Sequence, residues 1–230
     1  MKFDEYSIKA RLLPALATSV LPAAVFNYFY VSEEFSKFVG YILGIKFLST
    51  ISLSLILLFF LSEFGRSIAK GIFEHLYFND EMSMPTTLFM LYKDNTYSDE
   101  YKNLFRKRVK KDFGLVLAGR EQESNDELDA KRKIVECMAF VRKKLKENKF
   151  LLQHNVEYGA MRNAIGGSVI GLIVCIWNVY FFSSVFPNVV AMNISYFLLG
   201  VYILVLICSR LIIKLYGRSY GKILFREYLG

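Results

Sequence analysis

The stretch Ala164–Phe186, AIGGSVIGLIVCIWNVYFFSSVF, contains no charged residue and decides the class of fold. At about 1.5 Å of rise per residue, a helix of this length crosses the roughly 30 Å hydrocarbon core of a bilayer. Three further apolar runs occupy Leu12–Val31, Val39–Leu61 and Val189–Ile213. None of them has the polar face of a soluble core helix. The sequence therefore predicts an all-α membrane protein with four transmembrane helices, arranged as two transmembrane helical hairpins.

The first run is the least regular, because Pro14 and Pro22 interrupt it, and Lys9 and Arg11 precede it. A secretory signal peptide has the same order of basic and apolar residues. A second apolar run follows at once, however, and no small-x-small cleavage pattern is evident. A first transmembrane helix is therefore the preferred interpretation.

Lysine and arginine are distributed unevenly between the predicted loops. Residues 63–163 hold nineteen of them, the segment before Leu12 holds three, and the end from Arg210 holds five. The loop between the first two runs has only Lys37, and the loop Pro187-Asn188 has none. Because basic residues concentrate on the cytoplasmic side, we expect a multi-pass protein of the inner (cytoplasmic) membrane with both termini in the cytoplasm.

Three regions follow from this topology: a first hairpin (1–63), a helical cytoplasmic insert (64–163), and a second hairpin with a basic C-terminal tail (164–230). The hairpins resemble each other, since FGRSIAK at 64–70 matches YGRSYGK at 216–222. An internal duplication explains the match, and so would the aromatic and basic anchors that end many spans. Each hairpin also has one GxxxG pair, Gly40/Gly44 and Gly167/Gly171, which predicts close helix packing.

Two helices dominate the predicted insert. Ser98 is a suitable N-cap for a helix that runs to about Phe113. A second helix covers about Asn125–Asn148, because its apolar residues recur at spacings of three and four. Basic residues cluster on both helices: Arg106, Lys107, Arg108, Lys110 and Lys111 on the first, and Lys131, Arg132, Lys133, Arg142 and Lys143 on the second.

These basic clusters fit either of two partners. Acidic lipid headgroups at the cytoplasmic surface attract lysine and arginine by roughly 1 kcal/mol per residue. A nucleotide or a single-stranded nucleic acid would need the same cations for its phosphates and nearby aromatic rings for its bases. Both partners remain open, and all ten basic residues are candidates for binding a polyanion.

A polar cluster precedes the third run. On a helix, Asn155, Tyr158 and Arg162 share one face, so they join the candidate ligand site. Arg162 can also snorkel to lipid phosphates, close a cytoplasmic mouth with Glu157, or act as an interfacial anchor.

The hydroxyls of Ser49, Ser52 and Ser54 lie in the second run. They would line a pore if second spans from several subunits met around an axis. Alternatively, they bond to carbonyls of their own helix. A proton pump or transporter is disfavoured, because the runs lack the central charges that such proteins use.

The sequence offers little for catalysis. There are two histidines and three cysteines, and we find neither a nucleophile motif, nor a phosphate-binding loop, nor a metal-ligand spacing. We therefore expect no enzyme activity, no metal and no cofactor.

Several short motifs resemble a group of bacterial anti-phage membrane effectors, the four-transmembrane S-4TM and SLATT classes. They are FGR at 64–66 with Glu74, MPTTLxxL at 84–91 and NxxYGxxRN at 155–163. Within this group the size, basic insert and repeated hairpin are most similar to the DNA-gated channel effectors of the Hailong defence system. The resemblance implies a homo-oligomeric ion channel, for which we expect a tetramer. A single-stranded DNA or nucleotide signal from a partner nucleotidyltransferase would gate it, and opening would depolarise the cell and arrest its growth.

The leading hypothesis is therefore a channel gated through its cytoplasmic insert. The alternative is a membrane anchor whose insert docks a soluble partner protein without conducting ions.

Overall fold

The computed structural model describes residues 5–31, 58–79 and 81–230, and in these ranges the chain is helical without any strand. Within these ranges, three helices are long and apolar enough to span a membrane, over Ile8–Tyr30, Lys149–Val185 and Val189–Ile207. The all-α class is thus confirmed for the described residues, and the three apolar helices support a membrane-embedded protein. Most of the second predicted run, with Gly40, Gly44, Ser49, Ser52 and Ser54, lies outside the described residues.

The helices are labelled here in chain order. They are α1 (Glu5–Val31), α2 (58–78), α3 (Pro85–Leu88), α4 (Asp99–Phe113), α5 (Arg120–Asn125), α6 (Glu127–Lys144), α7 (Lys149–Tyr180, continued by a π turn over Phe181–Val185), α8 (Val189–Ile207) and α9 (Ser209–Leu229).

The chain divides into two compact units. Met1–Phe73 and Gly159–Arg210 form one, called here the span unit, and Glu74–Tyr158 and Leu211–Gly230 form the other, called the insert unit. This division differs from the regions expected from the sequence, because the C-terminal residues belong with the insert.

Small residues bring the helices of the span unit together. A Cβ atom at Gly166 would lie 2.0 Å from the carbonyl oxygen of Gly65 on α2, and one at Gly167 would lie 2.1 Å from Oγ1 of Thr18 on α1. At Gly171 it would lie 2.5 Å from the carbonyl oxygen of Thr18. These distances leave room only for hydrogen, so the Gly167/Gly171 pair packs within the chain.

Helix α1 departs from regular α geometry around its two prolines. Proline has no N–H, so Pro14 cannot donate to Ala10 in the α pattern, and Pro22 cannot donate to Ala17 in the π pattern of the turn Leu16–Val20. Both carbonyl groups instead accept bonds from side chains of other helices. Asn163 Nδ2 donates to the Ala10 oxygen (2.6 Å), and the Tyr202 hydroxyl donates to the Ala17 oxygen (3.0 Å). Since an unsatisfied carbonyl is costly in a bilayer, these bonds allow α1 to contain prolines.

Local signals explain the helices of the insert unit. The Ser98 side chain accepts from the Tyr101 N–H at the start of α4, and Gly114 ends the helix with a φ of 70°. Asp126 caps α6, whose apolar stripe Ile134, Cys137, Met138 and Val141 is buried. The sequence predictions for these two helices are confirmed.

The core of the insert unit includes the C-terminal helix. Leu224, Phe225 and Tyr228 of α9 are buried against residues of α4, α6 and the first turn of α7. The Phe225 ring lies 4.9 Å from that of Phe105 on α4. The expected basic tail is therefore a packed helix that completes this core.

Candidate anion-binding surface

Arg106 belongs to the interior of the insert unit. Its guanidinium donates to the Met90 carbonyl oxygen (2.7 Å) and to that of Ala118, and it lies 4.4 Å from the centre of the Tyr92 ring. The side chain is 11% exposed, and its partner Glu123, 3.9 Å away, is 6% exposed. Burial lowers the pKa of Arg106 below its ordinary value. The Arg106 guanidinium is therefore already bonded to acceptors within the protein.

Glu123 fixes the loop that follows α3. Its carboxylate accepts the backbone N–H groups of Tyr92 (3.0 Å) and Lys93 (3.3 Å). Beside it, Lys102 is 1% exposed, and its ammonium donates to the carbonyl oxygens of Leu91 and Asp94. Desolvation lowers the pKa of Lys102. Arg106, Glu123 and Lys102 together satisfy the backbone groups of this loop.

Arg108 holds the end of α9. Its guanidinium donates to the Leu229 carbonyl oxygen (3.0 Å) and lies 3.8 Å from the Asp112 carboxylate. Asp112 also accepts from Lys144 (2.5 Å) and from the Tyr228 hydroxyl (2.9 Å). These hydrogen bonds hold the pKa of Asp112 below its ordinary value, so the carboxylate is ionised at neutral pH. It joins the C-terminal ends of α4, α6 and α9.

Most basic candidates on α6 are paired with carboxylates. Lys131 lies 2.6 Å from Glu127, Lys133 lies 2.7 Å from Asp129, and the Arg142 guanidinium lies 2.6 Å from Glu81. The first two pairs are single-turn pairs along the helix, which commonly stabilise helices by a few tenths of a kcal/mol. Arg132 is exposed and has no ion pair among the described residues.

Four lysines among these candidates are exposed, and none of the four has a carboxylate partner within the described part of the chain. They are Lys107, Lys110 and Lys111 of α4 and Lys143 of α6. The Lys144–Asp112 pair and the contact between the Phe113 and Phe140 rings (5.7 Å) hold the two helix ends together. We call these four residues the lysine surface.

The three polar candidates near the start of α7 have different surroundings. Tyr158 is buried in the insert unit, where its hydroxyl donates to Glu74 (2.9 Å) and its ring lies 6.3 Å from that of Tyr220. Asn155 is half-buried. Arg162 is buried in the span unit, with 6% exposure. Tyr158 and Arg162 are thus buried by protein, whereas the four lysines are exposed.

One exposed aromatic residue of α6 is absent from the candidates expected from the sequence. Phe140 lies outside the apolar stripe of α6, and 48% of its surface is exposed. Its exposure was predictable from the sequence, because an aromatic residue outside the apolar stripe of α6 does not face the core. Cys137, by contrast, lies on the stripe, and burial raises the pKa of its thiol to about 12, so it stays protonated at neutral pH.

Neither a family model, nor a curated protein, nor a solved structure matches this chain. Its function has to be inferred from its own residues and their geometry.

Proposed function

We propose that the chain is a homo-oligomeric ion channel of the bacterial inner membrane, gated by an anionic nucleic-acid or nucleotide ligand on its cytoplasmic side. In this proposal four helices span the membrane, and the second span covers Val39–Leu61. The insert unit binds the ligand, and opening of the channel depolarises the cell during anti-phage defence. The lysine surface is the observation that carries the gating role.

The basic side chains of the insert unit differ in whether protein groups bind them, and this difference supports a ligand. Arg106, Arg108 and Arg142 bond to protein groups, whereas Lys107, Lys110, Lys111 and Lys143 point to solvent. Like charges held near one another repel, and a polyanion relieves this repulsion and releases its own counterions. Lysines near the C-terminal ends of α4 and α6 also interact favourably with the helix dipoles, but this interaction does not account for all four lysines.

A connection between ligand and membrane follows from chain order. Only Cys208 separates the apolar helix α8 from α9, and α9 contributes Leu224, Phe225 and Tyr228 to the core of the insert unit. Asp112 and Arg108, which hold the end of α9, are neighbours of Lys107 and Lys111 on α4. In this proposal, ligand binding at the lysine surface acts on α9, which directly follows the apolar helix α8 in the chain.

We expect residue Ser124 to be cytoplasmic, because the segment 63–163 carries nineteen basic residues and the first predicted external loop has only Lys37. A green fluorescent protein inserted at Ser124 should be fluorescent, and alkaline phosphatase at the same site should be inactive. The matched fusion at Asn188 should give the opposite pair of results. Active phosphatase at Ser124 would contradict the proposed topology.

Replacing all four lysines of the lysine surface with Gln should weaken binding of single-stranded DNA by the purified protein. The slope of log affinity against log salt should fall by up to about 0.7 for each lysine that contacts a phosphate. The control compares two double variants. One carries Lys131→Gln and Lys133→Gln, and the other carries Lys110→Gln and Lys111→Gln, so both lose the same charge from the same unit. Equal affinities and slopes in the two double variants would show that only net charge matters.

A membrane anchor for a soluble protein is the second candidate. Leu104, Val116 and Leu128 of the insert unit are more than half exposed, at 56%, 68% and 51%, and such side chains suit a protein partner. In that case aspartate at these positions would abolish co-purification with the partner, and the lysine variants would not.

A further inference from the structure

We propose that the lysine surface recognises unpaired nucleobases, and that Phe140 is the residue on which a base stacks. This inference rests on the proposed function, since it adds a base-binding residue to a phosphate-binding surface. The stacking residue would separate a ligand that has bases from polyphosphate and from lipid headgroups.

The first support is the position of the Phe140 ring. The ring is 48% exposed and lies outside the buried apolar stripe of α6, and its centre lies 5.7 Å from that of Phe113, at an angle of 36°. Phe113 in turn stacks on Tyr228, with ring planes 10° apart at 6.2 Å. The ring is therefore supported from behind by packed aromatic residues while another part of it meets solvent. A fixed, exposed ring is what base stacking requires.

The second support is the charge around this ring. Lys143 is exposed and follows Phe140 by three residues, so it lies on the same side of α6. Lys110 lies one turn before Phe113 on α4 and is exposed. Stacking sites for single strands combine an aromatic ring with cations that follow the phosphate backbone.

Carboxylates mark the limits of the site. Glu136 is exposed one turn before Phe140, and Asp112 is already bound by Lys144 and Tyr228. A phosphate would be repelled by Glu136, so the strand should run from Phe140 towards Lys143 and the end of α4.

The test compares three anions on the full-length protein purified in detergent: an oligothymidylate, an abasic strand of equal length, and inorganic polyphosphate. Phe140→Ala should weaken oligothymidylate binding roughly 5- to 100-fold, the usual value of one stacked base. Binding of the abasic strand and of polyphosphate should stay within about twofold, because these ligands have no base to stack. Phe140→Leu should resemble Phe140→Ala, since leucine retains apolar area but has no ring.

Phe150→Ala is the matched control, because Phe150 belongs to the same unit and is 63% exposed. It should leave all three affinities unchanged. An equal loss for the abasic strand, or an equal effect of Phe150→Ala, would overturn the stacking role while leaving phosphate binding in place. If the protein bound phosphatidylglycerol vesicles in a Phe140-dependent manner but did not bind oligothymidylate, the lysine surface would be a lipid-binding surface and the stacking role would be overturned. If the parent protein bound none of the three anions, both this inference and the proposed gating would fall.

Discussion

Arg106→Gln is expected to unfold the insert unit, whereas Lys107→Gln should leave it folded. Removal of the guanidinium leaves the carbonyl groups of Met90 and Ala118 without a donor and Glu123 without its cation. Breaking a buried pair in this way costs about 3–5 kcal/mol, a large part of the roughly 5–15 kcal/mol that stabilises a typical domain. Lys107 is exposed and unpaired within the described residues, so its loss should change stability by less than about 0.5 kcal/mol.

Thermal unfolding and limited proteolysis of the two purified variants measure this difference. Arg106→Gln should make residues 81–145 sensitive to trypsin at a temperature at which the parent resists cleavage. If the two variants melted together, the Arg106 guanidinium would contribute no more than a surface charge. Loss of ligand binding in an Arg106 variant is therefore evidence about folding, and the lysine surface is the better place to test binding.

Gly166→Ala should prevent the helices of the span unit from packing, whereas Gly200→Ala should have no adverse effect. The added Cβ at Gly166 would lie 2.0 Å from the Gly65 carbonyl oxygen and 2.8 Å from the Ala69 Cβ, so backbone has to move. Overpacking of this kind commonly costs 1–3 kcal/mol or more. Nothing lies within 4 Å of a Cβ at Gly200, which is also within an apolar helix.

The yield of monodisperse protein in mild detergent, with its melting temperature, compares these glycine variants. Gly166→Ala should reduce both, and Gly200→Ala should equal or exceed the parent, because alanine favours helix over glycine. Equal behaviour would show that α2 and α7 do not pack closely at this position.

The regular parts of the fold were predictable because their signals are local. Ser98 and Gly114 mark the ends of α4, and the spacing of Ile134, Cys137, Met138 and Val141 defines the buried face of α6. The same spacing rule also places Arg106 inward, since Lys102, Phe105, Arg106 and Val109 recur at intervals of three and four. The positive charge of Arg106 predicts an exposed position, so the two signals conflict at this residue.

Other features depended on residues far apart in sequence. Asn163 compensates for Pro14 by bonding to Ala10 across 153 positions, and Tyr202 compensates for Pro22 by bonding to Ala17 across 185. A single chain gives no signal for such pairs. The packing of α9, by contrast, has a local signal in the sequence. Ile213, Gly217, Leu224 and Tyr228 form a buried stripe, although arginines and lysines lie between them. The residues expected to line a pore, Ser49, Ser52 and Ser54, lie outside the described ranges and stay predictions.

The central claim is that the protein conducts ions under control of a bound nucleic acid. The most direct measurement is ion flux from vesicles that contain the purified full-length protein, recorded with a potential-sensitive dye before and after addition of oligothymidylate. We expect ion flux that changes when the oligonucleotide is added. Leucine at Ser49, Ser52 and Ser54 should abolish the flux, and replacing the four lysines with Gln should leave a flux that no longer responds to the oligonucleotide. Vesicles that keep their potential with and without oligonucleotide, although they hold folded protein, would contradict it and favour the anchor.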